Sequence, residues 1–291
     1  MSSEPDDPAT VAETALHVAS PGSSRAGRNL PAAIGIGVGL GAAVIASLAF
    51  RKEIFGLILI AAVVMGILEL HRAFAVRQVR VHLVPALVGG TVMQVCAYYL
   101  GAEALLVSFV LTGTAILAWG LWDPRDAVVR DMAAGVFVVA YLPFLAGFAM
   151  LLLAEPDGAW RIVAMLLIPI CSDIGGYVFG VLWGRHPMAP SVSPKKSWEG
   201  MSGSMVFGLV AAVLVITLAL GGPWWAGMLV GACAVVIATV GDLSESLLKR
   251  DLGIKDMGAI LPGHGGVLDR IDSLLPTAPV VYLLLSLLVP A

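Results

Sequence analysis

Three aspartates near the carboxyl-terminal end of the sequence are spaced so that they could bind a metal ion. Asp242 follows the apolar run "AVVIATVG", and Asp269 and Asp272 lie three residues apart in "DRID". Residues three apart share a helix face, and hard divalent cations prefer oxygen ligands. We therefore predict a metal site, although Asp242 could instead pair with a nearby lysine. If the helix continues beyond Asp242, Ser246 and Lys249 lie on the same face.

A glycine-rich turn follows in "LPGHGG", residues 261–266. Gly263, Gly265 and Gly266 allow the backbone to approach a ligand closely. Exposed N–H groups of such a turn could bind phosphate oxygens, with His264 as a further donor. The stretch is not a Walker A motif, since GxxxxGK[ST] is absent from the sequence. Taken alone, it is equally compatible with an ordinary turn.

A pair of lysines lies upstream in "SPKKSWEG", residues 193–200. Lys195 and Lys196, flanked by Ser193 and Ser197, suit a polyanion such as a triphosphate or a lipid phosphate. The simpler alternative is a pair of ordinary lysines in a cytoplasmic loop of a membrane protein.

Asp173 lies deep inside an apolar run, in "CSDIGGYVFG". An acid inside a membrane is costly and therefore indicates a function. Gly175, Gly176 and Gly180 give it small neighbours, which allow close helix packing or a ligand crevice. Glu69 ends another apolar run, where an acid is only mildly unusual.

The elements that must position these residues are membrane helices. Hydrophobic residues make up 59% of the 291 residues and charged residues only 13%, whereas soluble domains are about half apolar and a quarter charged. The apolar runs are roughly 20 residues long, enough to cross about 30 Å of hydrocarbon. We predict an all-α polytopic membrane protein with about nine transmembrane helices. The predicted spans are 31–50, 54–70, 83–100, 103–121, 132–154, 162–184, 201–221, 224–243 and 273–290.

The chain is predicted to have three parts. Residues 1–30 form a disordered tail rich in Ser, Pro and acids. Residues 31–154 form the N-terminal membrane helices, and residues 155–291 carry the catalytic helices and their cytosolic loops.

The distribution of positive charge predicts the orientation in the membrane. With nine spans and a cytoplasmic N-terminus, 14 of the 17 lysines and arginines lie on the cytoplasmic side. Only Arg51, Lys52 and Arg161 lie outside. Loops 185–200 and 244–272 then share the cytoplasmic face, where nucleotides are available. In a bacterium this would be the inner membrane.

Residues 246–272, "SLLKRDLGIKDMGAILPGHGGVLDRID", resemble the signature of the phosphatidate cytidylyltransferases. That pattern runs S-x-hydrophobic-K-R, four residues, K-D, then P-x-H-G-G and D-R-x-D, and every fixed position is met. "SPKKSWEG", "GDLSES" and Asp173 with its glycines are similar to family features as well. The resemblance covers roughly the C-terminal 120 residues, whereas the N-terminal half resembles the family only in having several spans.

The resemblance implies that CTP and phosphatidic acid react to give CDP-diacylglycerol and pyrophosphate with Mg²⁺, as one ion or as a carboxylate-bridged pair. It implies catalytic roles for Asp242, Asp269, Asp272 and Lys249, the three aspartates being the metal ligands. The residues implied to bind CTP or the lipid are Ser193, Lys195, Lys196, Ser197, Ser246, Arg250, Gly263, His264, Gly265, Gly266, Arg270 and Asp173.

The expected partners are the two substrates and the bilayer, with no nucleic acid and with a homodimer as one possible assembly. A CDP-alcohol phosphotransferase is an alternative function, but its D-x-x-D-G pattern fails because Ser273 follows Asp272. A cation-coupled membrane transporter is another, with Asp173 and Asp242 as ion ligands. The sequence shows none of the internal repeats frequent in transporters.

Overall fold

The computed structural model describes residues 30–122, 127–258 and 265–290. The predicted tail, apart from Leu30, lies outside the described residues, as do Gly263 and His264. The helices in the described ranges are α1 (Leu30–Phe50), α2 (Lys52–Ala75), α3 (Leu83–Leu100), α4 (Ala102–Trp122), α5 (Val128–Ala154), α6 (Gly158–Trp183), α7 (Trp198–Leu218), α8 (Trp224–Leu252) and α9 (Leu268–Leu288). A two-stranded antiparallel hairpin, β1 (Pro187–Ala189) and β2 (Ser193–Ser197), joins α6 to α7.

Helices α2 to α9 are all long and apolar enough to cross a membrane. In α1 the corresponding apolar segment, Gly37–Phe50, is shorter. The prediction of an all-α polytopic membrane protein is confirmed, and each predicted span has a helix at its place. Buried residues from 31–154 and 155–291 belong to one hydrophobic cluster. The division of the chain at residue 155 stays a prediction.

The largest difference from the predicted spans is at the end of α8. The span was expected to end at 243, but the helix continues to Leu252. Hydropathy locates the edge of the hydrocarbon, whereas the helix ends only where its backbone is capped. Gly253 has a φ of +73°, and the N–H of Ile254 donates to the carbonyl of Lys249 at 3.0 Å. This left-handed glycine cap is a common helix end, and the extra turns carry charged residues out of the apolar core.

Helix α5 contains a π-helical turn, Ala140–Phe144, around Pro143. Proline lacks an N–H and crowds the preceding turn, so it disturbs the hydrogen-bond ladder of an α-helix. The amide of Gln94 on α3 donates to the carbonyl of Pro143 at 2.7 Å. The wide turn therefore has a fixed place in the core, and it sets the direction of the neighbouring Tyr141.

Helices α6 and α7 approach each other through glycine. A Cβ atom on Gly175 or on Gly203 would overlap the carbonyl oxygen of the other residue. The hydroxyl of Ser204 donates to the carbonyl of Ser172 at 2.8 Å across the same contact. The predicted close packing around the glycines that follow Asp173 is thus confirmed, and it takes place within one chain.

The polar loops lie at two opposite ends of the helices. At one end the guanidinium of Arg250 on α8 donates to the carbonyl of Ser191 in the hairpin. At the other end Lys52 donates to the carbonyl of Glu155 at 2.6 Å. The hairpin and the end of α8 therefore share one face, as the charge distribution predicts. Which side of the membrane this face occupies stays a prediction.

The α6–α7 contact leads to a test of stability. Gly203→Ala should lower the free energy of unfolding by about 1–3 kcal/mol, because the methyl group would force two backbones apart. Thermal unfolding of purified protein in detergent measures the loss. Gly113→Ala on α4 is the matched control, because open space surrounds its Cβ position. Equal stability of the two variants would contradict the backbone contact.

Candidate active site

Lys249 lies between two carboxylates at the end of α8. Its Nζ atom is 3.3 Å from Oε2 of Glu245 and 3.0 Å from Oδ1 of Asp269. The side chains of Glu245, Asp269 and Lys249 are 0%, 7% and 19% exposed. Such charges are costly to bury unless they are paired. The three side chains therefore form one fixed unit. Glu245 was not predicted from the sequence as a residue of the site.

Asp269 also holds the backbone of the loop before α9. Its Oδ2 atom accepts N–H groups from Met257 at 3.0 Å and from Gly266 at 2.7 Å. Gly265 between them has a φ of +82°, which favours glycine. Glycine at this position is therefore required by the backbone, whereas the predicted close approach to a ligand stays a prediction. The N–H of Gly266 binds Asp269, so its predicted contact with substrate phosphate stays untested.

Lys196 on β2 forms an ion pair with Asp242 on α8, and these side chains are 27% and 36% exposed. Beside the pair, a polar pocket of about 180 Å³ lies between α6, α7 and the hairpin. The pocket brings together residues that are far apart in sequence. Its lining includes Asp173, Lys195, Lys196, Ser197, Ser204 and Thr239.

Several predicted binding residues have structural contacts as well. The hydroxyl of Ser197 is buried and accepts the N–H of Gly200 at 3.1 Å, so it caps the start of α7. Arg250 holds the hairpin at Ser191. Ser193 is the first residue of β2, Ser246 is half-buried on α8 and Arg270 is exposed at the start of α9. The roles of these residues toward substrate stay predictions.

The carboxylate oxygens fit a metal ion at one point in particular. Oε1 of Glu245 is buried and has no hydrogen-bond partner in the described part of the chain, and Asp272 lies within hydrogen-bonding reach of this carboxylate. A buried oxygen of this kind normally has a partner, and a cation would supply one. No three histidine, cysteine, aspartate or glutamate side chains within 30–122, 127–258 and 265–290 form a ready metal site. The metal role of Asp242, Asp269 and Asp272 stays a prediction.

Tyr141 is a second residue that the sequence reasoning missed. Its hydroxyl is buried without a hydrogen-bond partner among the described residues. The carboxyl groups of Glu245, Asp272 and Asp242 lie near enough to interact electrostatically with this hydroxyl. Pro143 inside an apolar run signals a distorted helix, but only the fold shows that the Tyr141 hydroxyl interacts with acids of α8 and α9.

Comparison with known proteins identifies the family of the chain. Residues 31–288 match the profile of the cytidylyltransferase family. The chain belongs to the cytidylyltransferase family. The resemblance found in residues 246–272 is confirmed, and the match includes the N-terminal membrane helices.

Individual relatives of this family member share most of its length. The phosphatidate cytidylyltransferase of Mycobacterium leprae (strain TN) is 38% identical over 290 residues, covering 94% of this chain and 93% of its own. That of Mycobacterium tuberculosis (strain ATCC 25618 / H37Rv) is 38% identical over 280 residues, with coverages of 91% and 85%. That of Synechocystis sp. (strain ATCC 27184 / PCC 6803 / Kazusa) is 34% identical over 215 residues, with coverages of 62% and 71%.

The buried charges predict a strong effect of neutralising Lys249. Lys249→Met should lower the free energy of unfolding by about 3–5 kcal/mol, because it leaves two buried carboxylates without their counter-charge. Adding Glu245→Gln should recover part of the loss. Thermal unfolding in detergent measures both changes, with Lys52→Met at the opposite end as the control. A double variant no more stable than Lys249→Met would speak against the shared pairing.

Proposed function

We propose that this chain transfers the cytidylyl group of CTP to phosphatidic acid and releases CDP-diacylglycerol and pyrophosphate. The observation that carries the proposal is the similarity, over nearly the whole chain, to relatives that bear the name phosphatidate cytidylyltransferase. The site supports it, because lysines and carboxylates meet at one end of a membrane protein, beside a polar pocket. That combination suits a reaction between a nucleotide and a lipid phosphate.

The reaction needs stabilisation of negative charge more than it needs a general base. An oxygen of the lipid phosphate, already anionic near neutral pH, attacks the α-phosphorus of CTP. A new P–O bond forms, the bond between the α-phosphorus and the bridging oxygen breaks, and pyrophosphate leaves with that electron pair. The main obstacle is repulsion between two polyanions, which positioned cations reduce by electrostatic stabilisation.

The lysines have two different tasks in this proposal. Lys195 and Lys196 line the pocket, and the half-exposed ion pair of Lys196 with Asp242 can exchange for a phosphate contact. Lys249 is held between two carboxylates, so it fixes Asp269 in position. Arg250 holds the hairpin that carries Lys196 close to the end of α8.

The proposal includes Mg²⁺ as the metal that assists the reaction, bound as one ion or as two. Asp242, Asp269 and Asp272 are its proposed ligands, and Glu245 adds a buried oxygen beside Asp272. When bound there, the ion would neutralise negative charge on the phosphates of CTP. The side chains would hold and orient the ion, and the Lys249 contact keeps Asp269 in position.

The bilayer explains the position of the pocket. Tyr177 on α6 lines the pocket and is largely exposed on the surface of the helices. A lipid beside α6 can keep its acyl chains in hydrocarbon while its headgroup reaches the lysines. We place the pocket and the N-terminus on the cytoplasmic side, where CTP is available. A homodimer is part of the proposal, since Gly39 and Gly41 of α1 have open space at their Cβ positions.

The reaction can be tested directly. Pyrophosphate release from CTP should require phosphatidic acid and Mg²⁺ together, and Asp269→Asn should lower kcat at least about 100-fold by weakening the metal and loop contacts. Asp251→Asn is the matched control, because its side chain is exposed at the same end and should leave kcat unchanged. Unaltered turnover by Asp269→Asn would refute the role of Asp269. No release by folded wild-type protein would refute the reaction.

Tyr141→Phe should lower kcat about 10-fold and leave thermal stability unchanged. A loss of this size corresponds to about one hydrogen bond to a charged group. The ring stacks on Phe137 with centroids 5.5 Å apart, so the variant removes only a hydroxyl that could donate to a phosphate oxygen. Steady-state kinetics in mixed micelles measures the effect. Tyr99→Phe, at an exposed ring, is the control, and equal kcat values for the two variants would contradict the expectation.

A further inference from the structure

Glu69 on α2 is a fully buried acid that belongs to the N-terminal half of the chain. Its two carboxylate oxygens accept N–H groups from the start of α9. Oε1 accepts the N–H of Val267 at 2.9 Å, and Oε2 accepts the N–H of Leu268 at 2.9 Å. The first N–H groups of a helix have no partner within the helix, so Glu69 caps α9 from another part of the molecule.

Two glycines in the loop make room for this carboxylate. A Cβ atom on Gly258 would overlap Oε1 of Glu69, and one on Gly266 would lie 2.7 Å from Oε2. Any side chain at either position would therefore displace the acid or the loop. Gly258, Gly266 and the Glu69 carboxylate are therefore closely complementary in shape. A residue that contributed only to general packing would not need this fit.

The same short segment is held from its other side by Asp269. Gly266 donates its N–H to Asp269, and the next two N–H groups donate to Glu69. Three successive backbone amides are thus divided between an acid proposed to act in catalysis, which accepts one, and an acid from α2, which accepts two. A shift of Glu69 would move the backbone that orients Asp269.

We infer that Glu69 is a positioning residue that sets the loop before α9, and with it Asp269, for binding the triphosphate of CTP. This role rests on the proposed function. Glu69 touches the loop backbone, so its effect on the reaction is exerted through Gly266 and Asp269. The N-terminal half of the chain thereby contributes to the geometry of the site.

The first test replaces one of the two acceptors. Glu69→Gln presents an NH₂ group to one of the two N–H donors, so the loop should lose its position. We expect the KM for CTP to rise about 10-fold or more while the KM for phosphatidic acid stays within about twofold. A lower fraction of folded protein would reduce apparent kcat and leave both KM values unchanged, and that result would overturn the inference. Glu103→Gln, at an exposed acid on α4, is the control.

The second test uses the fit between the acid and the glycine. Gly258→Ala adds a methyl group against the carboxylate, and Glu69→Asp withdraws the carboxylate by one methylene. Each single variant should raise the KM for CTP, and the double variant should recover a value below that of Gly258→Ala. If the changes in KM of the two single variants simply multiplied in the double variant, the proposed role of the contact between Glu69 and Gly258 would be overturned. Gly113→Ala, in open space, controls for the added methyl group.

Hydrogen exchange separates this inference from the proposed function, since it needs no turnover. Peptides that include Val267 and Leu268 should exchange faster in Glu69→Gln than in wild type, with α6 and α7 unchanged. Unchanged exchange at these amides would overturn the inference even in an active enzyme. If wild-type protein showed no CTP turnover but the exchange result held, the proposed function would fail and the positioning of the loop would stand.

Discussion

The site depends on one buried lysine that two carboxylates share. Glu245 and Asp269 balance the charge of Lys249 at this depth, and removing one partner of such a largely buried group is costly. Lys249 lies in the turns by which α8 continues beyond its apolar run, before the glycine cap at residue 253. It also fixes the distance between α8 and the start of α9, and therefore the place of the loop between them.

Backbone N–H groups also hold the residues of the site in position. Asp269 uses its second oxygen for two N–H groups of the loop, and Glu69 takes the next two. Glycine is needed at 265 for its positive φ and at 258 and 266 for close approach. The described residues on both sides of the gap, 257–258 and 265–268, are therefore tied to two acids by their backbone. Lys196 and the hairpin stand apart from this rigid unit and are more exposed.

The sequence was sufficient for the parts of the fold that depend on local composition. Apolar runs located the helices, and the signature in 246–272 predicted the family that the comparisons show. The sequence did not reveal the contacts between elements that are far apart along the chain. Glu245 sits one residue from the predicted Ser246, but its burial depends on how α8 and α9 pack. Tyr141 was hidden in an apolar run, and Glu69 resembled an ordinary helix-end acid because its partners are far away along the chain.

That distance along the chain has a consequence for how the protein is made. The two N–H groups that satisfy Glu69 come 198 and 199 residues after it. When α2 first enters the membrane, this carboxylate lacks the two backbone partners of the finished protein, and it gains them only when the last helix arrives. A nascent or truncated chain therefore carries an unsatisfied acid among its early helices, a state with a substantial free-energy cost. The final helix completes the hydrogen bonds of Glu69, so a finished chain differs physically from an unfinished one at this residue.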